Sequence, residues 1–282
     1  MSLPLLSEAD VMSRMDAIEA ADALEAALLA GLDPEADPPR GVLELGGGEL
    51  LVMPSAAGGH AAVKLVTVGG EPRVQGVCVV FDGASLAPVA LIDGIALTNL
   101  RTPAVSALAV RRLAHPDARR LVVFGRGPQA AAHAVALRAV RPIDNVEIVG
   151  REHSDAVEEL VAAADVICCA TTAREPLFDG TLVADHAVVV AIGSHEPDAR
   201  ETDDALARRA TVVVESRASA LREAGDVIAA VAAGAVAEDE LVTLSDLVCG
   251  RAAPAPDRPR LFKSTGMAWE DAVVAAALAG LT

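Results

Sequence analysis

The spacing of apolar residues changes character along the chain, and those changes divide it. Ser7 precedes Glu-Ala-Asp and an amphipathic run, which predicts a capped first helix. Asp16–Gly31 predicts a second helix, rich in Ala and Leu and closed by Gly31. Three prolines between Asp33 and Arg40 make that segment a loop. From Val42 to Val89 the pattern shortens to VLEL, ELLVMP, VKLVTV, VQGVCVVFD and APVALID, separated by turns such as Gly46–Gly48 and Asp82–Gly83. Such runs predict an antiparallel sheet over roughly residues 42 to 93. Helical spacing returns over Leu97–Leu113, with Pro103 in the first turn.

Beyond that helix, strands and helices alternate. Leu121–Phe124 has the length and composition of a buried parallel strand, and a glycine turn, an Ala-rich helical segment and a second apolar run ending at Arg151 follow it. Ser154–Ala164 predicts a helix, and Asp165–Ala170, Ala187–Ile192 and Thr211–Glu215 predict strands. Arg217–Ala224 and Val227–Ala233 predict helices stopped by Gly225 and Gly234. Alternation of this kind implies a parallel sheet covered on both faces, the α/β class. The Pro-rich stretch Ala253–Pro259 marks a boundary, followed by a strand-like LFKS and a helix from Trp269.

Composition narrows the classes. A chain of 282 residues holds one large domain or two ordinary ones. With four Phe, one Trp and no Tyr, its cores must be packed from Ala, Val and Leu. A formal charge of −17 argues against nucleic-acid or membrane-surface partners, which need concentrated Lys and Arg. Cys78, Cys168, Cys169 and Cys249 lie in apolar segments without zinc-ligand spacing, so buried thiols in a reducing compartment, and no metal, are expected. The first residues lack the build of a secretory signal, and no apolar run approaches the ~20 residues that span a bilayer. A cytoplasmic protein is expected.

Two sets of residues point to chemistry. Gly125, Gly127 and Ala130 form G-x-G-x-x-A between a strand and a helix, and Pro128 suits a first helical turn. A helix N-terminus behind such a turn offers backbone N–H groups to a pyrophosphate. The second set is cationic. Lys64 interrupts the apolar strand VKLVTV, Arg101 opens a helix and Arg40 ends the Pro-rich loop. A buried ammonium needs a partner, and Arg with Lys is the natural pair for a carboxylate.

The ordered set Met53-Pro54, Val63–Thr67, Ala90–Gly94, Leu97-Thr98 with Arg101-Thr102, Gly125–Ala130, and Phe262–Ala268 with Glu270-Asp271 resembles the ornithine cyclodeaminase/mu-crystallin family over nearly the whole chain. The resemblance implies a Rossmann-type dinucleotide-binding domain, residues 114–256, and a split α+β substrate-binding and dimerisation domain, residues 1–113 with 257–282. It implies a homodimer joined through the substrate-domain sheets. Arg40, Lys64 and Arg101 match the substrate-carboxylate cluster, with Met53 beside them. Thr102, Gly125, Gly127, Pro128, Gln129, Ala130 and Thr171 match cofactor contacts, and Lys263, Ser264 and Gly266 return the C-terminal segment to the nicotinamide.

Two positions discriminate within that resemblance. The resemblance implies an aspartate in true cyclodeaminases at the position where this chain has His195, and a neutral imidazole does not replace a carboxylate that holds a substrate ammonium. At the end of the second Rossmann strand, Arg151 favours the 2′-phosphate of NADP(H), with NAD(H) as the alternative because Glu152 supplies an acid one place late. The expected activity is an NAD(P)H-dependent oxidoreductase acting on a C=N bond next to a carboxylate: a cyclic ketimine or imino acid reductase, or an amino acid dehydrogenase. Lys64 or His195 would supply the proton. The alternatives are a cyclodeaminase-like ammonia-lyase that recycles NAD internally, and a non-catalytic NADP(H)-dependent binding protein for a small ligand.

Overall fold

The computed structural model describes residues 3–150 and 156–281. The chain divides into two compact units, Met1–Val105 with Met267–Thr282, and Ser106–Gly266.

In the first unit a short strand β1 (Leu5–Leu6) leads into helices α1 (Glu8–Arg14) and α2 (Ala17–Leu29). Both helices open on reciprocal capping boxes, Ser7 with Asp10 and Asp16 with Glu19, which satisfy amides that the first turn leaves open. The predicted strands follow as β2 (Gly41–Leu45), β3 (Gly48–Ala57), β4 (His60–Val68), β5 (Val74–Asp82) and β6 (Pro88–Asp93). They form a sheet of order β1-β6-β5-β4-β3-β2, antiparallel from β2 to β6. β1 pairs parallel with β6; two residues carry no readable period, so the sequence did not disclose it. Alternation buries Leu51, Met53 and Ser55 on β3 and Ala62, Lys64 and Val66 on β4.

Helix α3 (Gly94–Leu113) begins upstream of the predicted Leu97. Asp93 causes this, its Oδ1 accepting from the amides of Ile95 and Ala96 at 2.9 Å each. Pro103 therefore lies inside the helix rather than in its first turn.

The second unit runs β7 (Arg120–Phe124), α4 (Pro128–Val140), β8 (Asn145–Val149), α5 (Val157–Ala163), β9 (Val166–Cys169), β10 (Val188–Ala191), α6 (Asp204–Arg209), β11 (Thr211–Val214), α7 (Arg217–Glu223), α8 (Gly225–Ala232), β12 (Val242–Thr243), α9 (Leu244–Val248) and β13 (Arg260–Lys263). Its sheet is wholly parallel, of order β12-β11-β13-β10-β9-β7-β8. The fold is α/β with a Rossmann-like parallel sheet. β9 and β10 are buried along their whole length, as strands covered on both faces must be. The predicted start of α5 at Ser154 lies outside the described residues.

Two features differ from the sequence reading. Residues 257–266, grouped there with the split domain, carry β13 into the middle of the parallel sheet, where Leu261 and Phe262 are buried between β10 and β11. Gly225 opens α8 instead of stopping α7; a Cβ there would lie 2.2 Å from the Ala199 carbonyl oxygen, so the glycine serves close approach. Helix α10 (Ala268–Leu278) then packs on β3 and β4 of the first unit. Among the described residues no helix is long and apolar enough to cross a membrane.

Candidate active site

In the first unit the chemistry gathers around α10. Met53 and Lys64 face each other in register across β3 and β4, and Cys78 stands opposite Lys64 on β5. α10 brings Glu270 and Asp271, both in its first turn, to this face. The Lys64 ammonium donates to Asp271 at 2.8 Å and contacts both carboxylate oxygens. Arg101, from α3, donates through Nε to Asp271 Oδ1 at 3.1 Å and through Nη1 to Glu270 Oε2 at 2.8 Å. All four side chains are buried. Two predicted site cations are thus joined through one carboxylate, and opposed by a second.

Burial and, next, the Arg101 charge lower the Lys64 pKa to about 8, against the opposing pull of Asp271. An ammonium in that range is largely protonated near neutral pH yet gives up its proton readily. Burial pushes the neighbouring Cys78 thiol up to about 12, so it is inert.

Arg40 is half-buried at the end of the Pro-rich loop, directly before β2. Asp37 ties that loop down: it accepts from the Ser55 hydroxyl of β3 at 2.5 Å and from the Trp269 amide at the start of α10 at 2.7 Å. Burial, the largest influence, raises the Asp37 pKa against these hydrogen bonds. Thr102 follows Arg101 on α3, and its hydroxyl is buried with no hydrogen-bond partner among the described residues.

In the second unit the parallel register makes a row. Phe124 pairs with Cys169, Cys169 with Ala191, Ala191 with Lys263, and Lys263 with Val214. The residues that follow these strands therefore emerge together at the carboxyl edge, where open α/β sheets bind ligands. Gly125 leaves β7 at φ +116°, and a Cβ on it would lie 2.4 Å from the Ala170 carbonyl oxygen. Gly127 caps α4 with no side-chain bond, a Cβ on it would meet nothing within 4 Å, and Pro128 occupies the first turn. Ala130 is buried 3.6 Å from the Cβ position of Gly125, so its methyl group fits where the helix meets the strand. Gln129 is half-buried beside it. An uncapped helix end behind open glycine backbone fits a pyrophosphate. Arg151 and Glu152 lie outside the described residues.

The other predicted cofactor residues are held by protein groups. Thr171 donates its N–H and hydroxyl to Glu201 Oε1 at 2.8 and 2.7 Å. Ser264 donates its hydroxyl to Glu215 at 2.6 Å, and the amides of Thr265 and Gly266 donate to the same carboxylate at 2.8 and 3.2 Å. Lys263 donates to the Ser194 carbonyl at 2.8 Å and pairs with Asp226 at 3.0 Å. His195 is half-buried in the loop after β10. Sequence reasoning met Glu270-Asp271 only as part of a motif, without a site role, and missed Glu201, Glu215 and Asp226 as members of these sites. An acid pair in the first turn of a helix reads as a dipole effect, and only the fold reveals two cations opposite it.

The family model described as ornithine cyclodeaminase/mu-crystallin family matches residues 3–157 and 153–279. A Delta(1)-pyrroline-2-carboxylate reductase of Colwellia psychrerythraea is 36% identical over 212 residues, 67% of each chain. The ketimine reductase mu-crystallin of Mus musculus is 34% identical over 252 residues, 81% of this chain and 79% of that one. The structure of Thermococcus litoralis Delta(1)-pyrroline-2-carboxylate reductase in complex with NADH and L-proline superposes with a TM-score of 0.91 at 27% identity, covering 99% of this chain and 97% of the other.

Proposed function

Because the chain belongs to the ornithine cyclodeaminase/mu-crystallin family, we propose that it reduces a cyclic ketimine carboxylate, with NADPH preferred over NADH. It is an NAD(P)H-dependent oxidoreductase acting on a C=N bond next to a carboxylate. The observation that carries the reading is the buried Lys64–Arg101 pair on Asp271 and Glu270. It combines anion recognition with an ammonium whose pKa of about 8 suits proton donation.

The first unit binds the substrate. Arg40, Lys64 and Arg101 orient its carboxylate, with Met53 as an apolar wall, and Lys64 or His195 delivers the proton to the imine nitrogen. The second unit binds the dinucleotide: Gly125, Gly127, Pro128, Gln129 and Ala130 take the pyrophosphate, together with Thr171; Thr102, on α3 in the first unit, is carried over as a cofactor contact from the family resemblance alone. Lys263, Ser264 and Gly266 frame the nicotinamide end, and Arg151 meets the 2′-phosphate. When bound, the nicotinamide supplies the hydride for the imine carbon. A homodimer is supported by the outer strand β2, which has one sheet neighbour and exposes Val42, Leu43 and Leu45. A cytoplasmic location accords with the absence of disulfides among the cysteines.

The test is oxidation of NADPH and NADH with Delta(1)-pyrroline-2-carboxylate, larger cyclic ketimine carboxylates, and 2-oxo acids plus ammonia. Oxidation in step with imine loss, faster with NADPH and abolished by K64M, is expected. Ammonia release from ornithine without net cofactor consumption would identify a lyase, and tight dinucleotide binding without turnover a binding protein.

A further inference from the structure

Lys64 and Lys263 are the only lysines in the sequence; the remaining non-histidine cationic side chains are arginines. Both lysines are buried, and each ammonium meets an aspartate. In a chain that otherwise uses arginine, lysine at two interior points indicates that a compact ammonium is needed there, not a planar guanidinium fork. Lys64 has its use in the carboxylate cluster. Lys263 stands in a different network.

Lys263 Nζ lies 3.0 Å from Asp226 Oδ2 and donates to the Ser194 carbonyl at 2.8 Å. Asp226 Oδ1 accepts from the amides of Glu201 and Thr202 at 2.8 Å each, and from the Thr202 hydroxyl at 2.9 Å. Burial opposes the Asp226 carboxylate, but Lys263 and these donors outweigh it and its pKa falls. Glu201 in turn accepts from Thr171 and, at 2.7 Å, from the Gly193 amide. One ammonium and two carboxylates thus connect the ends of β9, β10 and β13 with the start of α8.

The loop from Gly193 to Glu201 is packed as closely as it is bonded. A Cβ on Gly193 would lie 2.1 Å from the Thr171 carbonyl oxygen, and one on Gly225 would lie 2.8 Å from the Glu196 carbonyl oxygen. On the outside, Arg174 pairs with Glu196 and Asp198 at 2.6 Å each, where exposure makes such pairs weak. His195 sits between the residue whose carbonyl Lys263 holds and the residue Arg174 holds.

We propose that Lys263 is a positioning residue which, through the Ser194 carbonyl and Asp226, sets the place of His195 at the carboxyl edge of the parallel sheet. Replacing a buried ion pair by uncharged groups is often neutral for stability, so the network's distinctive contribution is to geometry. The proposal rests on the reading of that edge as the reacting end of the dinucleotide site only for its kinetic consequence.

The test uses the full chain. K263M leaves the Asp226 charge buried without its ammonium and should lower the melting temperature. K263M/D226N removes both charges yet keeps the oxygen that accepts from Glu201 and Thr202, and should melt within about 5 °C of the parent. The proton–carbon spectrum of the histidine rings, with the His195 signal assigned by its loss in H195Q, reads the position of His195 without substrate or cofactor. The double variant should move or broaden that signal and leave those of the other histidines in place. It should lower kcat for imine reduction by at least about tenfold. If the double variant does not fold, D226N alone should shift the same signal. An unmoved His195 signal in the folded variant overturns the proposal, and so does a parent-like kcat. A parent without imine turnover would refute the imine-reductase reading and leave the spectrum to decide on Lys263.

Discussion

Lys64 and Asp271 form a buried ion pair, the ammonium 2.8 Å from the carboxylate, with side chains 2% and 1% exposed. Burial and Arg101 bring the Lys64 pKa down to about 8, and Asp271 limits the fall. If protonated Lys64 holds the substrate carboxylate and donates a proton, activity should decline as pH rises through about 8. D271N removes the limiting charge, so the alkaline limb of kcat/KM should move about one unit or more to lower pH. The folded pKa lies below the unfolded value of 10.5, so the folded state binds fewer protons in between and this group's contribution to stability grows as pH rises from about 8 to 10.5. K64M should lack that alkaline gain. A limb at the same pH in D271N would remove Lys64 as the titrating group.

Gly125 and Gly127 are both glycines of one motif, but their surroundings separate two effects. G125A must carry φ +116° and a Cβ 2.4 Å from a carbonyl oxygen, so it should melt several degrees lower or fail to fold. G127A adds a methyl group into open space and should melt like the parent. Its dinucleotide Kd should rise about tenfold or more, a cost of about 1.4 kcal/mol, because the methyl group occupies the approach to the helix N-terminus. Titration of dinucleotide against protein fluorescence checks this; an unchanged Kd in G127A would place the pyrophosphate elsewhere.

Asp37 holds the loop that ends at Arg40, through Ser55 and the Trp269 amide. D37A should free that loop and raise KM for the carboxylate substrate about tenfold, with a smaller effect on kcat. D37N retains one acceptor oxygen and should recover part of the loss. Equal effects on kcat and KM in D37A would show that the loop acts in the chemical step and not in binding.

Much of this was legible in the sequence because it was periodic. The strands from Val42 onward and the G-x-G-x-x-A turn announce themselves by alternation, run length and glycine, and Lys64 stands out against the apolar strand it interrupts. Partners distant in sequence were not legible. Asp271 is far from Lys64 along the chain, and nothing local to either residue announces the other. Lys263 presents the opposite problem. A motif groups it with the cofactor residues, but nothing in the motif discloses that its ammonium meets Asp226 and the Ser194 carbonyl. Short elements such as β1, β12 and α9 were unreadable because so few residues form no pattern.

β2 lies at the edge of its sheet with Val42, Leu43 and Leu45 more than 45% exposed. L43E places a charge on that edge and should shift the protein from dimer toward monomer in light scattering after size exclusion. A parent that is monomeric at assay concentrations would contradict the homodimer.

Hydride transfer to the carbon of a C=N bond beside a carboxylate leaves an isotopic record in the product. Reduction of Delta(1)-pyrroline-2-carboxylate with cofactor deuterated on the transferred face should give an amino acid carrying one deuterium on the carbon next to the carboxylate. K64M should give none at a comparable rate. Product without deuterium, from either face of the labelled cofactor, would contradict the account.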